Sequence, residues 1–282
     1  MLDTTSEAFD ASLPPHSPLP TPYSPFLVDS FGRLHTDLRI SVTDRCNLRC
    51  FYCMPAEDVQ FKPRDELLTF EEIERVARVA ARMGVNKLRL TGGEPLVRRE
   101  IWKLVELLRR APGIDDIALT TNGLLLAEQA ERLKDAGLDR LNISLDSLDR
   151  KTFEQIARRP GLDRVLDGIF AARKAGFDRI RLNTVAVRGL TEREIVPLVE
   201  FARRHQFELR FIEFMPLDAD GRWKNADVLS GDEIRVTIEN AIGPLEPLPV
   251  VEPSQPATDY RFVDGSGCIG FINPVTQPFC GN

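Results

Sequence analysis

Long apolar runs are missing from this 282-residue chain, and none approaches the roughly 18 to 20 residues a membrane helix needs, so it reads as soluble. The charged-then-apolar plan of a secretory signal is missing from the N-terminus too, which points to an intracellular, cytoplasmic protein. Nor is there a surplus of positive charge. With 37 Lys+Arg against 43 Asp+Glu the formal net charge is -6, which argues against a general binder of nucleic-acid backbones and leaves room only for a local basic site. Cysteine is scarce and odd in number, 5 in all, and three of these crowd into Cys46, Cys50 and Cys53, which suggests metal rather than disulfides. What remains is ordinary: 43% hydrophobic and 28% charged residues can bury one or two cores.

Residues 1–36 hold Pro14, Pro15, Pro18, Pro20, Pro22 and Pro25 among Ser and Thr, which excludes sustained helix or central strand and reads as a flexible or docked arm. A mitochondrial transit peptide is disfavoured because Asp3, Glu7 and Asp10 precede the first arginine, Arg33. From Asp37 onward, alternating runs at 37–43, 86–91, 115–121, 139–145, 178–187 and 207–214 read as strands with helices between them. Thr69 and Glu72 have capping-box spacing ahead of a helix that Gly84 can end. Thr191 and Glu194 repeat that spacing, and Gly137 and Gly176 sit at helix C-terminal caps. Six strand-helix units with short connections imply an α/β fold with a parallel sheet, short of the eight units of a closed barrel. Beyond Phe214 the pattern weakens, and the Pro-rich stretch 243–257 reads as a linker or irregular segment.

Parallel strands covered on both faces should be almost continuously apolar, yet these alternate. Leu38, Ile40 and Val42 alternate with Arg39, Ser41 and Thr43; Leu88 and Leu90 with Lys87, Arg89 and Thr91; Leu141, Ile143 and Leu145 with Asn142, Ser144 and Asp146. The apolar set has to meet the helices, so the polar set lines a concave inner face that encloses a cavity. Arg39, Lys87, Arg89, Arg181 and Arg210 on that face need water, carboxylates such as Glu94, Asp146 and Glu208, or an anionic ligand. A ligand with several phosphates suits converging guanidinium groups, although internal ion pairs are the competing explanation.

Arg45-Cys46-Asn47-Leu48-Arg49-Cys50-Phe51-Tyr52-Cys53 follows the first strand directly, at the C-terminal end where α/β proteins place their sites. A structural zinc site wants four ligands, and His16, His35 and His205 are not neighbours of this loop. Three thiolates on an iron-sulfur cubane leave one iron open to a small chelating molecule. A zinc site with a remote ligand, or free cysteines, are the alternatives on the residues alone.

The Cys-x3-Cys-x2-Cys spacing with Tyr52 before the last cysteine resembles the signature of radical S-adenosylmethionine (SAM) enzymes, and Gly92-Gly93-Glu94-Pro95 after the second strand resembles their methionine-binding motif. The stretches Leu38 to Pro55, Lys87 to Pro95, Thr120 to Gly123, Asn142 to Asp146 and Arg210 to Met215 narrow the resemblance to the GTP 3',8-cyclase family of molybdenum cofactor biosynthesis, from residue 37 to near the end. The resemblance implies an incomplete (β/α)6 partial TIM barrel of radical SAM type over 37–215. It implies a 4Fe-4S cluster on Cys46, Cys50 and Cys53 whose open iron chelates SAM, with Tyr52, Gly92, Gly93, Glu94, Ser144 and Met215 around that cofactor. It places GTP on Arg39, Arg89, Thr120 and Arg181, the last where the family has a lysine, and the strand pattern adds Lys87 and Arg210.

The implied activity is that of a lyase. One electron cleaves the sulfonium and releases a 5'-deoxyadenosyl radical, which takes hydrogen from C3' of GTP; the sugar radical then attacks C8 of guanine to give 3',8-cyclo-7,8-dihydroguanosine 5'-triphosphate. An electron donor and the next-step cyclic pyranopterin monophosphate synthase are implied as partners, with no nucleic acid and no membrane, and a homodimer is left open.

The family also holds a second 4Fe-4S cluster on C-terminal cysteines in a Phe-Cys-x2-Cys-Asn-Arg pattern. This chain reads Phe279-Cys280-Gly281-Asn282, so the expectation is a lone metal ligand at Cys280, a bystander at Cys268, an incomplete auxiliary-cluster extension over 216–282, and an impaired, truncated cyclase. The competing functions are another radical SAM enzyme with a degenerate auxiliary site, or a non-enzymatic zinc- or nucleotide-binding protein.

Overall fold

The computed structural model describes residues 26–218, 220–250 and 255–277, so most of the proline-rich arm and Cys280 lie outside the described residues. Among the described residues nine strands form one sheet in the spatial order β1-β2-β3-β4-β5-β6-β9-β8-β7. The first six are β1 (Asp37–Ser41), β2 (Lys87–Thr91), β3 (Asp116–Thr121), β4 (Arg140–Ser144), β5 (Ile180–Ala186) and β6 (Glu208–Glu213), each parallel to the one before. Consecutive strands lie side by side and the sheet does not close, as the six-unit reading expects.

Seven helices accompany the strands among the described residues: α1 (Phe70–Arg82), α2 (Ile101–Arg109), α3 (Ala130–Asp135), α4 (Arg150–Ala157), α5 (Leu162–Lys174), α6 (Ile195–His205) and α7 (Gly231–Ala241). The core lies between these helices and one face of the sheet. Leu88, Leu90, Ile117, Leu119, Leu141, Ile143, Leu182 and Leu209 are buried there against Ile73, Leu104, Val165 and Leu198 of the helices. Each such fully buried side chain contributes about 1.5–3 kcal/mol relative to an exposed one. The opposite parity of each strand carries Arg39, Arg89, Arg140, Asn142, Arg181 and Arg210 on the inner face, where burial is partial at most of these positions.

Local chemistry sets several boundaries as the sequence indicates. Thr69 accepts from the Glu72 amide while the Glu72 carboxylate accepts from the Thr69 amide, a complete capping box that opens α1. Gly84, just past the end of α1, has φ +94°, a backbone state that a β-carbon disfavours.

The second capping box is not at Thr191. That hydroxyl is taken by Val187, accepting from its amide at 2.8 Å and donating to its carbonyl at 3.1 Å, and a 3-10 turn over Glu192–Glu194 precedes α6. Glu194 instead reaches back to the loop after β4, accepting from Ser147 Oγ and the Leu148 amide, both at 2.8 Å. The other capping box is Ser230 with Glu233, at the start of α7.

Beyond β6 the chain returns to the same sheet. Within the stretch read as linker, β7 (Leu245–Pro247) pairs antiparallel with β8 (Thr258–Phe262), which pairs antiparallel with β9 (Cys268–Ile272); β9 in turn lies parallel to β6. Buried Glu213 at the end of β6 anchors the turn beyond β9, accepting from the Val275 and Thr276 amides at 2.9 and 3.0 Å. No described helix is long and apolar enough to cross a membrane.

Candidate active site

The loops after β1 and β2 run side by side as an extension of the ladder between those strands. Val42 donates to the Thr91 carbonyl at 2.8 Å, Gly93 to Thr43 at 2.6 Å and Glu94 to Arg45 at 2.7 Å. This approach requires glycine. A β-carbon on Gly92 would stand 2.4 Å from the Thr43 carbonyl oxygen, and one on Gly93 would stand 2.4 Å from that of Arg45. The Gly-Gly pair therefore exists to bring the second loop against the cysteine loop.

Glu94 extends the connection to β3. It is almost wholly buried, and its carboxylate accepts from the Leu96 amide at 2.9 Å, Thr121 Oγ1 at 2.7 Å and the Asn122 amide at 2.6 Å. Burial raises its pKa, opposed by those three donors. Asn122, held in place this way, accepts from the Leu124 amide through Oδ1 and turns Nδ2 toward Asn47 Oδ1 at 2.7 Å and Cys46 Sγ at 3.7 Å. The Leu48 amide also donates to Cys46 Sγ, at 3.4 Å.

Cys46, Cys50 and Cys53 line one pocket at the C-terminal ends of the strands. Tyr52, Gly93, Glu94, Thr120, Asn122, Ser144 and Asp146 line it with them. Cys46 and Cys50 are half-buried and Cys53 is exposed. Burial pushes all three thiols up, so the apoprotein holds them protonated and a bound cationic group has to displace those protons. Among the described residues no three His, Cys, Asp or Glu side chains converge on a point that would hold a single metal ion. A cubane engages each thiol through a different iron, and the donor set fits that demand: three thiols on one pocket wall, with an amide and a backbone N–H already directed at one sulfur. Tyr52 donates its hydroxyl proton to Asp146 at 2.7 Å, and Asp146 also accepts from the Val185 amide at 2.8 Å. Burial raises the Asp146 pKa to about 6.

A second cavity of about 740 Å³ opens at the N-terminal ends of the same strands. Arg39, Lys87, Arg89, Arg181 and Arg210 line it, and so do Arg140 and Arg179. Part of this charge is neutralised: Arg181 pairs with Glu208 at 2.5 Å, Arg210 with Asp259 at 3.3 Å, and Arg140 with Asp116. Arg39 and Arg89 make no ion pair with any described residue. Arg89 has its pKa lowered, first by burial and then by the neighbouring Arg39, Arg140 and Arg181. Internal pairing accordingly accounts for some of the cleft's cations, whereas Arg39, Arg89 and Arg179 make no ion pair among the described residues, with Asp37 near Arg89.

The sequence-selected residues thus divide between two cavities. Cys46, Cys50, Tyr52, Cys53, Gly93, Glu94, Thr120 and Ser144 share the thiol pocket, whereas Met215, on the segment after β6, does not line it. Gly92 serves the pocket through its contact with Thr43. Arg140, Arg179 and Asn122 were not singled out from sequence. Arg140 has a legible signal, since it shares the strand parity of Asn142 and Ser144; the bond from Asn122 to Cys46 spans 76 residues and has none.

The Radical SAM superfamily profile matches residues 40–202, and the Molybdenum Cofactor Synthesis C profile matches residues 207–282. An open parallel sheet bearing a three-cysteine loop after its first strand, matched by that first profile over more than half the chain, defines a radical SAM protein. The GTP 3',8-cyclase of Rhodopirellula baltica is 55% identical over 259 residues, covering 91% of this chain and 72% of that protein. That of Acidothermus cellulolyticus is 49% identical over 257 residues, covering 89% and 71%. The chain belongs to the GTP 3',8-cyclase family. The fold has wider relatives: Streptococcus suis SuiB bound to S-adenosylmethionine superposes with a TM-score of 0.59 at 22% identity, over 73% of this chain and 46% of that one.

Proposed function

We propose that this chain is a radical SAM GTP 3',8-cyclase acting in molybdenum cofactor biosynthesis. The observation that carries the reading is the pairing of two cavities on one inner face, a thiol pocket at one end of the strands and a cationic cleft at the other. Cys46, Cys50 and Cys53 would hold a 4Fe-4S cluster, and Tyr52, Gly93, Glu94 and Ser144, which line the same pocket, would surround SAM. Together that cluster and SAM supply the radical chemistry.

The remaining work belongs to the chain's own side chains. Arg39 and Arg89, in no ion pair with a described residue, take the triphosphate of GTP; Lys87, Arg181 and Arg210 stand beside them in the cleft, Arg181 and Arg210 each paired with a carboxylate. Fixing the phosphates at that end leaves the sugar directed toward Thr120 and the thiol pocket, where a misplacement near 1 Å can cost about a hundredfold in rate. Of 5 cysteines, only Cys268 and Cys280 lie outside the loop, and two thiols fall short of the three that a second cluster takes in the family, so we assign one cluster to these 282 residues. A cytoplasmic location, an external electron donor and a downstream cyclic pyranopterin monophosphate synthase complete the reading.

Anaerobic incubation with dithionite, SAM and GTP tests it, with 5'-deoxyadenosine and cyclised GTP scored separately. GTP-dependent formation of 5'-deoxyadenosine is expected. A colourless protein carrying one zinc and forming no deoxyadenosine would sink the proposal.

A further inference from the structure

Asn142 lies in the middle of β4 on the inner face of the sheet and is 3% exposed. Its register partners are Thr120 on β3 and Arg181 on β5. Thr120 lines the thiol pocket and Arg181 lines the cationic cleft. The same division runs along β4 itself, with Ser144 in the thiol pocket and Arg140 in the cleft. Asn142 therefore stands between residues that line the two cavities, and it lines a small third pocket with Arg140, Arg179 and Arg181.

Its amide has one sense. Arg181 Nη1 donates to Asn142 Oδ1 at 3.5 Å, and a guanidinium has no acceptor, so the end of the amide facing Arg181 has to be oxygen. Nδ2 is left as the other end, buried and with no hydrogen-bond partner among the described residues. Buried polar groups in native proteins are almost always paired, and a donor left over on a cavity-lining face calls for an acceptor from outside the fold.

We propose that Asn142 contacts the nucleotide substrate, its Nδ2 donating to a sugar oxygen of the bound nucleoside triphosphate. This rests on the functional reading given above. The chemistry favours sugar over phosphate, because the charged oxygens are drawn to Arg39 and Arg89 farther toward the N-terminal ends, and a neutral amide suits a neutral hydroxyl or ring oxygen. The sugar joins the phosphates to the base and carries the carbon that gives up hydrogen, and Asn142 lies between residues of the corresponding cavities. A ligand oxygen at this place satisfies the donor that the empty fold leaves unpaired, which makes the contact selective for the bound state.

The test uses the full chain, with GTP as the probe and no turnover required. GTP affinity and thermal unfolding with and without GTP are measured for wild type, Asn142→Leu and Asn142→Asp. Leucine removes an unsatisfied buried donor, so Asn142→Leu should unfold at or above the wild-type temperature without nucleotide while binding GTP about three- to tenfold more weakly, the worth of one neutral hydrogen bond. Aspartate keeps the acceptor for Arg181 but loses the donor, so Asn142→Asp should also bind GTP more weakly with the fold retained. Wild-type affinity in either variant overturns the assignment of Asn142 alone. Wild type that binds no GTP overturns the functional reading and this assignment together.

Discussion

Arg39 on β1 and Arg89 on β2 are register partners, two guanidinium groups set side by side across a parallel pair with neither one in an ion pair with a described residue. Like charges opposite one another in a sheet are destabilising, so the empty protein bears a cost that a polyanion removes. Arg39→Met and Arg89→Met should each leave the fold as stable as wild type or more so, yet weaken GTP binding by about ten- to a hundredfold, the worth of a charge-assisted hydrogen bond. The loss should shrink as salt rises, because screening weakens the wild-type contact. Affinity measured at low and high ionic strength checks both parts; equal affinity in the two variants and wild type would reject the phosphate role.

Gly93→Ala should damage the site while sparing the core. A β-carbon at 2.4 Å from the Arg45 carbonyl oxygen and 2.6 Å from its carbon meets backbone, which has little room to yield. Overpacking of this kind costs about 1–3 kcal/mol, and the strain falls on the loop that carries the cysteines. Far-UV circular dichroism should stay near wild type while anaerobic reconstitution yields less visible absorbance. Full cluster loading in the alanine variant would show that the two loops need not touch.

Iron counting separates the cysteines. The wild-type chain should carry about four irons after reconstitution, the content of one cubane. Substituting any one of Cys46, Cys50 or Cys53 by alanine should abolish the visible band, whereas Cys268→Ala, at the exposed first residue of β9, should keep it. About eight irons per chain, or a colourless Cys268→Ala, would contradict the assignment of one cluster to the loop.

Acid should loosen the start of α7. Glu233 accepts from Ser230 and pairs with Arg188, and these contacts lower its pKa from 4.5 to about 2. A carboxylate with a depressed folded-state pKa stabilises the fold fully above about pH 4.5 and loses that contribution as pH falls toward 2. Since the pair is nearly half exposed, the effect should stay below about 1 kcal/mol. Glu233→Gln should be less stable than wild type at pH 7, with the gap narrowed at pH 3 and closing toward pH 2, as thermal unfolding at these values would show. A constant difference across that range would remove Glu233 as the cause.

Elements whose causes are local could be read directly from the sequence. Thr69, Glu72 and Gly84 define α1 within its own neighbourhood, and the alternation of Leu88 and Leu90 with Lys87, Arg89 and Thr91 declares which face of β2 meets helices. Thr191 carries the same spacing as Thr69, yet its hydroxyl bonds back to Val187, the residue just past the end of β5, where the chain turns. Pairings made by distant segments leave no mark in the sequence. Asp259 becomes the counter-ion of Arg210 only because β8 and β9 fold back beside β6, and no pattern near Arg210 anticipates a partner 49 residues away. The inner-face cations could therefore be named in advance, but not sorted into those already neutralised and those still free.

The two cavities open at opposite ends of one sheet, and this geometry bears on traffic. A molecule bound past Arg39 and Arg89 arrives from the N-terminal ends of the strands, while one bound beside the exposed Cys53 arrives from the C-terminal ends. Neither has to pass the other. Steady-state kinetics should thus show no compulsory order of addition, with initial-rate patterns that intersect and a spent molecule able to leave by its own door while its counterpart stays in place.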